Sequence, residues 1–86
     1  MKREYKIRWD QPAGYDPSTL LSNLPSPIAP GFQEIYNYSI DGDGFYFVDQ
    51  LIDERTAGQA FKLFVDEALS YTQQVEIEQL KGSPGC

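Results

Sequence analysis

Histidine is absent from the 86 residues, which removes the commonest general base and the commonest metal ligand. There is one cysteine, Cys86, so no disulfide can form within the chain. A secreted domain this short usually needs such staples. No run approaches the roughly 18 apolar residues of a membrane span. Met1 to Arg8 is charged and no apolar stretch follows it, so there is no signal-peptide pattern and the cytoplasm is the expected compartment. No cofactor is expected either: no glycine-rich loop opens a helix after a strand in the manner of phosphate sites. Serines, threonines and carboxylates are present, but none has the partner spacing of a nucleophile and its base, and the expectation is a protein that is not an enzyme.

What the chain does have is aromatic mass. Five Phe, six Tyr and one Trp make up 14% of it, enough to argue against disorder although hydrophobic content is 41%. The length fits one domain. We expect a single α+β domain over residues 1–80 and a flexible C-terminal tail over 81–86, where Cys86 is incidental.

Charge is uneven. Lys2, Arg3, Lys6 and Arg8 with Glu4 give the first eight residues a positive balance, while the rest is strongly acidic and the total is −6. Such a body repels nucleic acid, whose binding depends on neutralised phosphates. It also supplies solubility.

Glu4 to Trp9 alternates polar and apolar residues, predicting a strand with Tyr5, Ile7 and Trp9 inward. Asp16-Pro17 reads as a helix start, Asp as N-cap and Pro as first helical residue, with Leu20, Leu21 and Leu24 on one face. Pro25, Pro27 and Pro30 end that helix within two turns, and Ser26 to Gly31 reads as a rigid loop. Phe32–Ile40 and Phe45–Val48 flank Asp41-Gly42-Asp43-Gly44, a hairpin signal resting on residues that tolerate positive φ. An even-length turn puts Tyr36, Tyr38, Ile40, Phe45 and Phe47 on the core face and Asn37, Ser39, Tyr46 and Val48 on the other. Ala57, Ala60, Phe61, Phe64, Val65, Ala68 and Leu69 form one stripe of a long helix over 53–71. Val75 to Glu78 alternates again as a last strand.

The order βαββαβ predicts a ferredoxin-like sandwich, with a four-stranded antiparallel sheet and both helices, one short and one long, on one face. First and last strands would be antiparallel neighbours, setting Lys6 and Arg8 against Glu76 and Glu78. The open face would carry Lys6, Arg8, Asn37, Ser39, Tyr46, Val48, Glu76 and Glu78, with Tyr46 and Val48 as an apolar centre inside a charged rim. That anatomy predicts a non-enzymatic interaction domain, a regulator, inhibitor or accessory subunit that binds another protein or itself.

Three alternatives have some footing. Asp41, Asp43, Asp49, Asp53 and Glu54 could stand in for phosphates in a nucleic-acid mimic that blocks a DNA- or RNA-binding protein. A cleft beside the short helix could sense a small molecule. Gly44-Phe45-Tyr46-Phe47-Val48 resembles part of a ribonucleoprotein signature of RNA recognition motifs, which implies Phe45 and Phe47 stacked on bases and Tyr5 as their first-strand counterpart. The chain departs from that signature at Asp43, where the family has Lys or Arg, at Tyr46, where it has a small residue, and at Gln50, where it has an aromatic. Asp41 to Gly44 also has the spacing of a calcium loop, but its twelfth position is Ile52 instead of glutamate, and a turn is expected.

Overall fold

Eight elements make up the computed structural model, which describes residues 2–80: β1 (Arg3–Arg8), α1 (Ser18–Asn23), β2 (Ile28–Ala29), β3 (Gln33–Glu34), β4 (Tyr36–Asp41), β5 (Gly44–Asp49), α2 (Glu54–Tyr71) and β6 (Glu76–Leu80). The expected tail over 81–86, with Cys86, lies outside the described residues. The molecule is α+β. Its main sheet is four-stranded and antiparallel, in the order β4-β5-β1-β6, beside a two-stranded ribbon of β2 and β3.

β1 is central. It pairs with β5 on one side and β6 on the other, so Lys6 stands between Tyr46 and Glu78, and Ile7 between Phe45 and Ile77. Alternation then divides the sheet. Ile7, Trp9, Tyr36, Phe45 and Phe47 enter one core with Leu20 of α1 and Ala57, Ala60, Phe64 and Ala68 of α2. Phe64 lies within 5.0–5.7 Å, ring centre to ring centre, of Tyr38, Phe45 and Phe47. Its alanine neighbours let α2 come close enough for these tilted contacts.

The structure departs from the sequence pattern in four places. The proline-rich stretch is a ribbon as well as a loop: Phe32 N donates to Ala29 O, Ile28 pairs with Glu34, and the expected strand from Phe32 to Ile40 is broken at Ile35. Ile35 is buried and joins both pieces, its N–H donating to Pro27 O and its carbonyl accepting from Gln50 N. With these added strands, the ferredoxin-like βαββαβ plan is not reproduced element for element. Second, α1 starts at Ser18 with Pro17 at the cap position, although the Asp16 carboxylate still accepts from Ser18 N. Third, the helical stripes are narrower than drawn. Leu21 is exposed, and Leu69, about 140° around the helix from Phe64, is 48% exposed.

The fourth departure is at the hairpin. Gly42 and Asp43 form its two-residue turn, the even length that the face assignment needs. Neither residue takes positive φ; the unusual torsion falls on Gly44, at φ 152°. There the β5 backbone crosses so close to β1 that a Cβ on Gly44 would sit 1.9 Å from Ile7 O. Glycine is needed at this position for close approach.

Candidate interaction surfaces

The eight residues predicted for the open face do share it, three rows deep across the four strands. Their chemistry differs from expectation. Val48 is only 5% exposed, so the proposed apolar centre is closed to solvent. In the register Val48 lies between Glu4 and Asn37, and both are held by hydrogen bonds. The Tyr46 hydroxyl donates to Glu4 Oε1, Gln50 Nε2 donates to Asn37 Oδ1, and Asn37 Nδ2 donates to Glu34 Oε2 at 2.7 Å. A side chain flanked on both strands by longer, bonded neighbours is covered by them, and sequence alternation cannot show that.

The charges on this face are also paired among themselves. Arg8 Nη1 lies 2.6 Å from Glu78 Oε1. Lys6 turns away from β6 and reaches Asp41 Oδ2 at 2.6 Å and Asp43 Oδ1 at 2.8 Å. Desolvation alone would lower the Lys6 pKa, but the hydrogen bonds and charges of the two aspartates outweigh it and the net shift is upward. Asp43 is held below the usual carboxylate range, chiefly by the Lys6 hydrogen bond. Glu4 and partial burial raise the Tyr46 phenol to about 12. Ser39 contributes a hydroxyl bonded to Asp41, and Glu76 is exposed.

The candidate phosphate stand-ins have local partners too. Asp41 and Asp43 hold Lys6. Asp49 accepts from Leu51 N, and Asp53 caps α2 through Thr56 N and Thr56 Oγ1, which lowers its pKa. Glu54 lies in the first helical turn, where a carboxylate favours the helix dipole. The aromatics of the RNA-recognition resemblance are turned away from solvent: Phe45 and Phe47 are in the core, and Tyr5 packs on Phe61 with ring centres 5.0 Å apart. Base stacking needs these rings on the opposite face.

Among the described residues no group of three or more His, Cys, Asp or Glu could hold a metal. No helix there is long and apolar enough to cross a membrane. A cleft of about 870 Å³ opens between the end of β1, the hairpin turn and the segment joining α2 to β6, lined by Trp9, Asp10, Gln11 and Thr72 among others. The Gln11 amide there is taken up by Asp41 O and Gly44 O. The buried Trp9 indole N–H has no hydrogen-bond partner among the described residues, and its ring meets Tyr15 edge to face.

The surface that sequence reasoning missed is at the ribbon. Phe32 is 92% exposed and stands at φ 64°. It lines a shallow groove of about 450 Å³ with Gln33, Glu34, Gln50 and Ile52. Ile28, Leu51 and Ile52 are also exposed, and Leu51 too has positive φ, at 60°. The sequence held one signal of this: Phe32 follows Pro30-Gly31 immediately, so a turn ending there puts an aromatic at its tip. Compared with family models, curated proteins and solved structures, the chain matches none.

Proposed function

We propose that this chain is a non-enzymatic interaction domain whose protein partner seats Phe32. One observation carries the reading. A bulky residue in the left-handed region costs about 1–2 kcal/mol, and here that conformation places an aromatic ring almost wholly in water. Among the described residues the turn conformation is supported by the Phe32 N to Ala29 O bond, while nothing covers the ring. An apolar pocket on a partner would cover it, as pockets do for the aromatic anchors at the centres of interfaces. Glu34 in the same groove, with Asp53 and Glu54 after Ile52, favours lysine or arginine around that pocket.

The open sheet face is a weaker candidate than the sequence suggested, because Val48 is covered and its charges satisfy one another. With the ribbon counted as an insertion, the four long strands and two helices are compatible with a ferredoxin-like βαββαβ unit, a frame that hosts many unrelated functions, so the reading rests on the Phe32 site alone. The test is a pair of variants, Phe32→Ser and Tyr46→Ser, in affinity capture from nuclease-treated extract and in sedimentation. The reading expects a bound protein, or a self-associated species, that is lost with the first variant and kept with the second. Capture unaffected by Phe32→Ser would sink it.

A further inference from the structure

β6 closes one side of the main sheet. Its hydrogen-bonded neighbour is β1, so among the described residues the backbone groups along its outer side have no strand partner. Natural proteins blunt such edges with short strands, charged side chains, proline, a bulge or a covering segment, and the two glutamates of this five-residue strand act in that way against a copy of itself while leaving it open to a basic strand. Glu76–Leu80 carries no proline or lysine, and its five residues pair with β1 in unbroken register. Among the described residues the edge is therefore unbulged and uncovered by any strand.

Its two faces have different chemistry. Glu76 and Glu78 lie on the open face, while Ile77 lies on the helix side and is 49% exposed, because α2 does not cover the edge of the sheet. β1 shows one sequence that such a strand accepts: Ile7 stands opposite Ile77, and Arg8, opposite Glu76, bonds the diagonal Glu78, while Lys6 is taken by the hairpin aspartates and Glu76 is left with no ion pair among the described residues. A second copy of β6 fits badly. Antiparallel pairing centred on Ile77 would set Glu76 and Glu78 of one chain against Glu78 and Glu76 of the other, and directly opposed like charges are unfavourable.

We propose that the outer edge of β6 binds an extended segment of another protein in which lysine or arginine alternates with isoleucine or valine, extending the sheet to a fifth strand. The basic residues lie beside Glu76 and Glu78, the apolar ones beside Ile77, and the backbone of the segment supplies the missing hydrogen bonds. This site is separate from the Phe32 groove and stands whether or not that groove is used.

The probe is a labelled seven-residue peptide alternating lysine with valine, titrated into the intact protein by fluorescence anisotropy with amide shifts recorded in parallel. Three comparison peptides accompany it: one with glutamate for lysine, and two N-methylated at every second residue in opposite phases. Binding is expected with shifts centred on residues 75–80, and the glutamate peptide should not bind. One N-methylated phase should bind at least about tenfold more weakly and the other near normally, because an added strand uses one edge of its backbone. Glu76→Lys should weaken the lysine peptide about two- to fivefold. No binding, shifts centred elsewhere, or equal binding by both N-methylated peptides would overturn the proposal. The last result would reduce the contact to charge attraction alone, and because these comparisons vary only the peptide, they hold even if Glu76→Lys disturbs the fold.

Discussion

Replacing Gly44 with alanine should damage this fold more than its single added methyl suggests. The new Cβ would lie 1.9 Å from Ile7 O and 2.9 Å from Ile7 C, both backbone atoms of the central strand. Ordinary contact needs about 1.5 Å more separation from the oxygen, and neither atom can swing aside as a flexible side chain would. β5 must therefore part from β1 around the Gly44–Arg8 pair. The neighbouring bond from Trp9 N to Asp43 O, 3.2 Å long, goes with it. That bond and one more of the β1–β5 ladder, at about 0.5–1.5 kcal/mol each, plus about 1–3 kcal/mol for alanine at this φ, give roughly 2–6 kcal/mol. A chain of this length has about 4–13 kcal/mol of stability in total. Thermal unfolding followed by circular dichroism should show a midpoint lower by about 10–45 °C, or no folded baseline, and urea unfolding a matching loss. Gly42→Ala and Gly58→Ala are the controls, since a Cβ at either meets nothing within 4 Å. The first should stay within about 0.5 kcal/mol of the parent. The second lies inside α2 and should gain about 0.5–1 kcal/mol. A Gly44→Ala protein that melts within a few degrees of the parent would refute the close approach of β1 and β5.

Alkaline stability should follow the tyrosines. Tyr36 is raised to about 12, first by burial and then by Tyr38, and Tyr46 to about 12, first by the Glu4 hydrogen bond. The folded state thus favours the neutral phenols: their contribution is full below about pH 10, the unfolded value, and disappears as pH rises toward 12. Urea midpoints at pH 8 and 11, with tyrosinate absorbance, test this, and Tyr46→Phe should reduce the dependence. At the acid end, the depressed Asp43 and Asp53 contribute above about pH 4 and lose that contribution as pH falls through their folded values. Carboxyl titration by NMR should place both below the reference, and Lys6→Met should return Asp43 toward it. Val48→Lys should lower the unfolding midpoint by the equivalent of about 1–3 kcal/mol, because it puts an ammonium where little water reaches. Unchanged stability would mean that this site is more open than its 5% exposure indicates.

Much of the frame was legible in the sequence because it rests on period. β1, α2 and β6 announced themselves by alternation or by the three–four stripe, and the antiparallel pairing of β1 with β6 is present. The even turn fixed the faces of β4 and β5. What escaped was set by neighbours more than by pattern. Lys6 could have met Glu78 across the strand, but Asp41 at the end of β4 and Asp43 in the hairpin turn hold it instead. Val48 looked exposed because alternation assigns a face, whereas cover depends on the length and bonding of adjacent side chains. Ile35 falls between two strands and its burial follows from contacts to Pro27 and Gln50, both far from any periodic signal. Phe32 was read as the first residue of a strand, and its exposure follows from a turn whose φ values no apolar pattern encodes.

The position of β1 has a consequence in time. β1 is made before both of the strands that flank it, β5 and β6, and each of these follows only after a long stretch of chain. Before residue 44 exists, Tyr5, Ile7 and Trp9 have no partner strand, and one flank of β1 stays bare until residues 76–80 are complete. Such distant pairings are slow to close, because the entropy of the intervening loop is lost before any contact repays it. Until those partners are made, β1 lacks the strands that flank it in the finished sheet, and the basic residues around it, Lys2, Arg3, Lys6 and Arg8, help keep its aromatic side chains in solution.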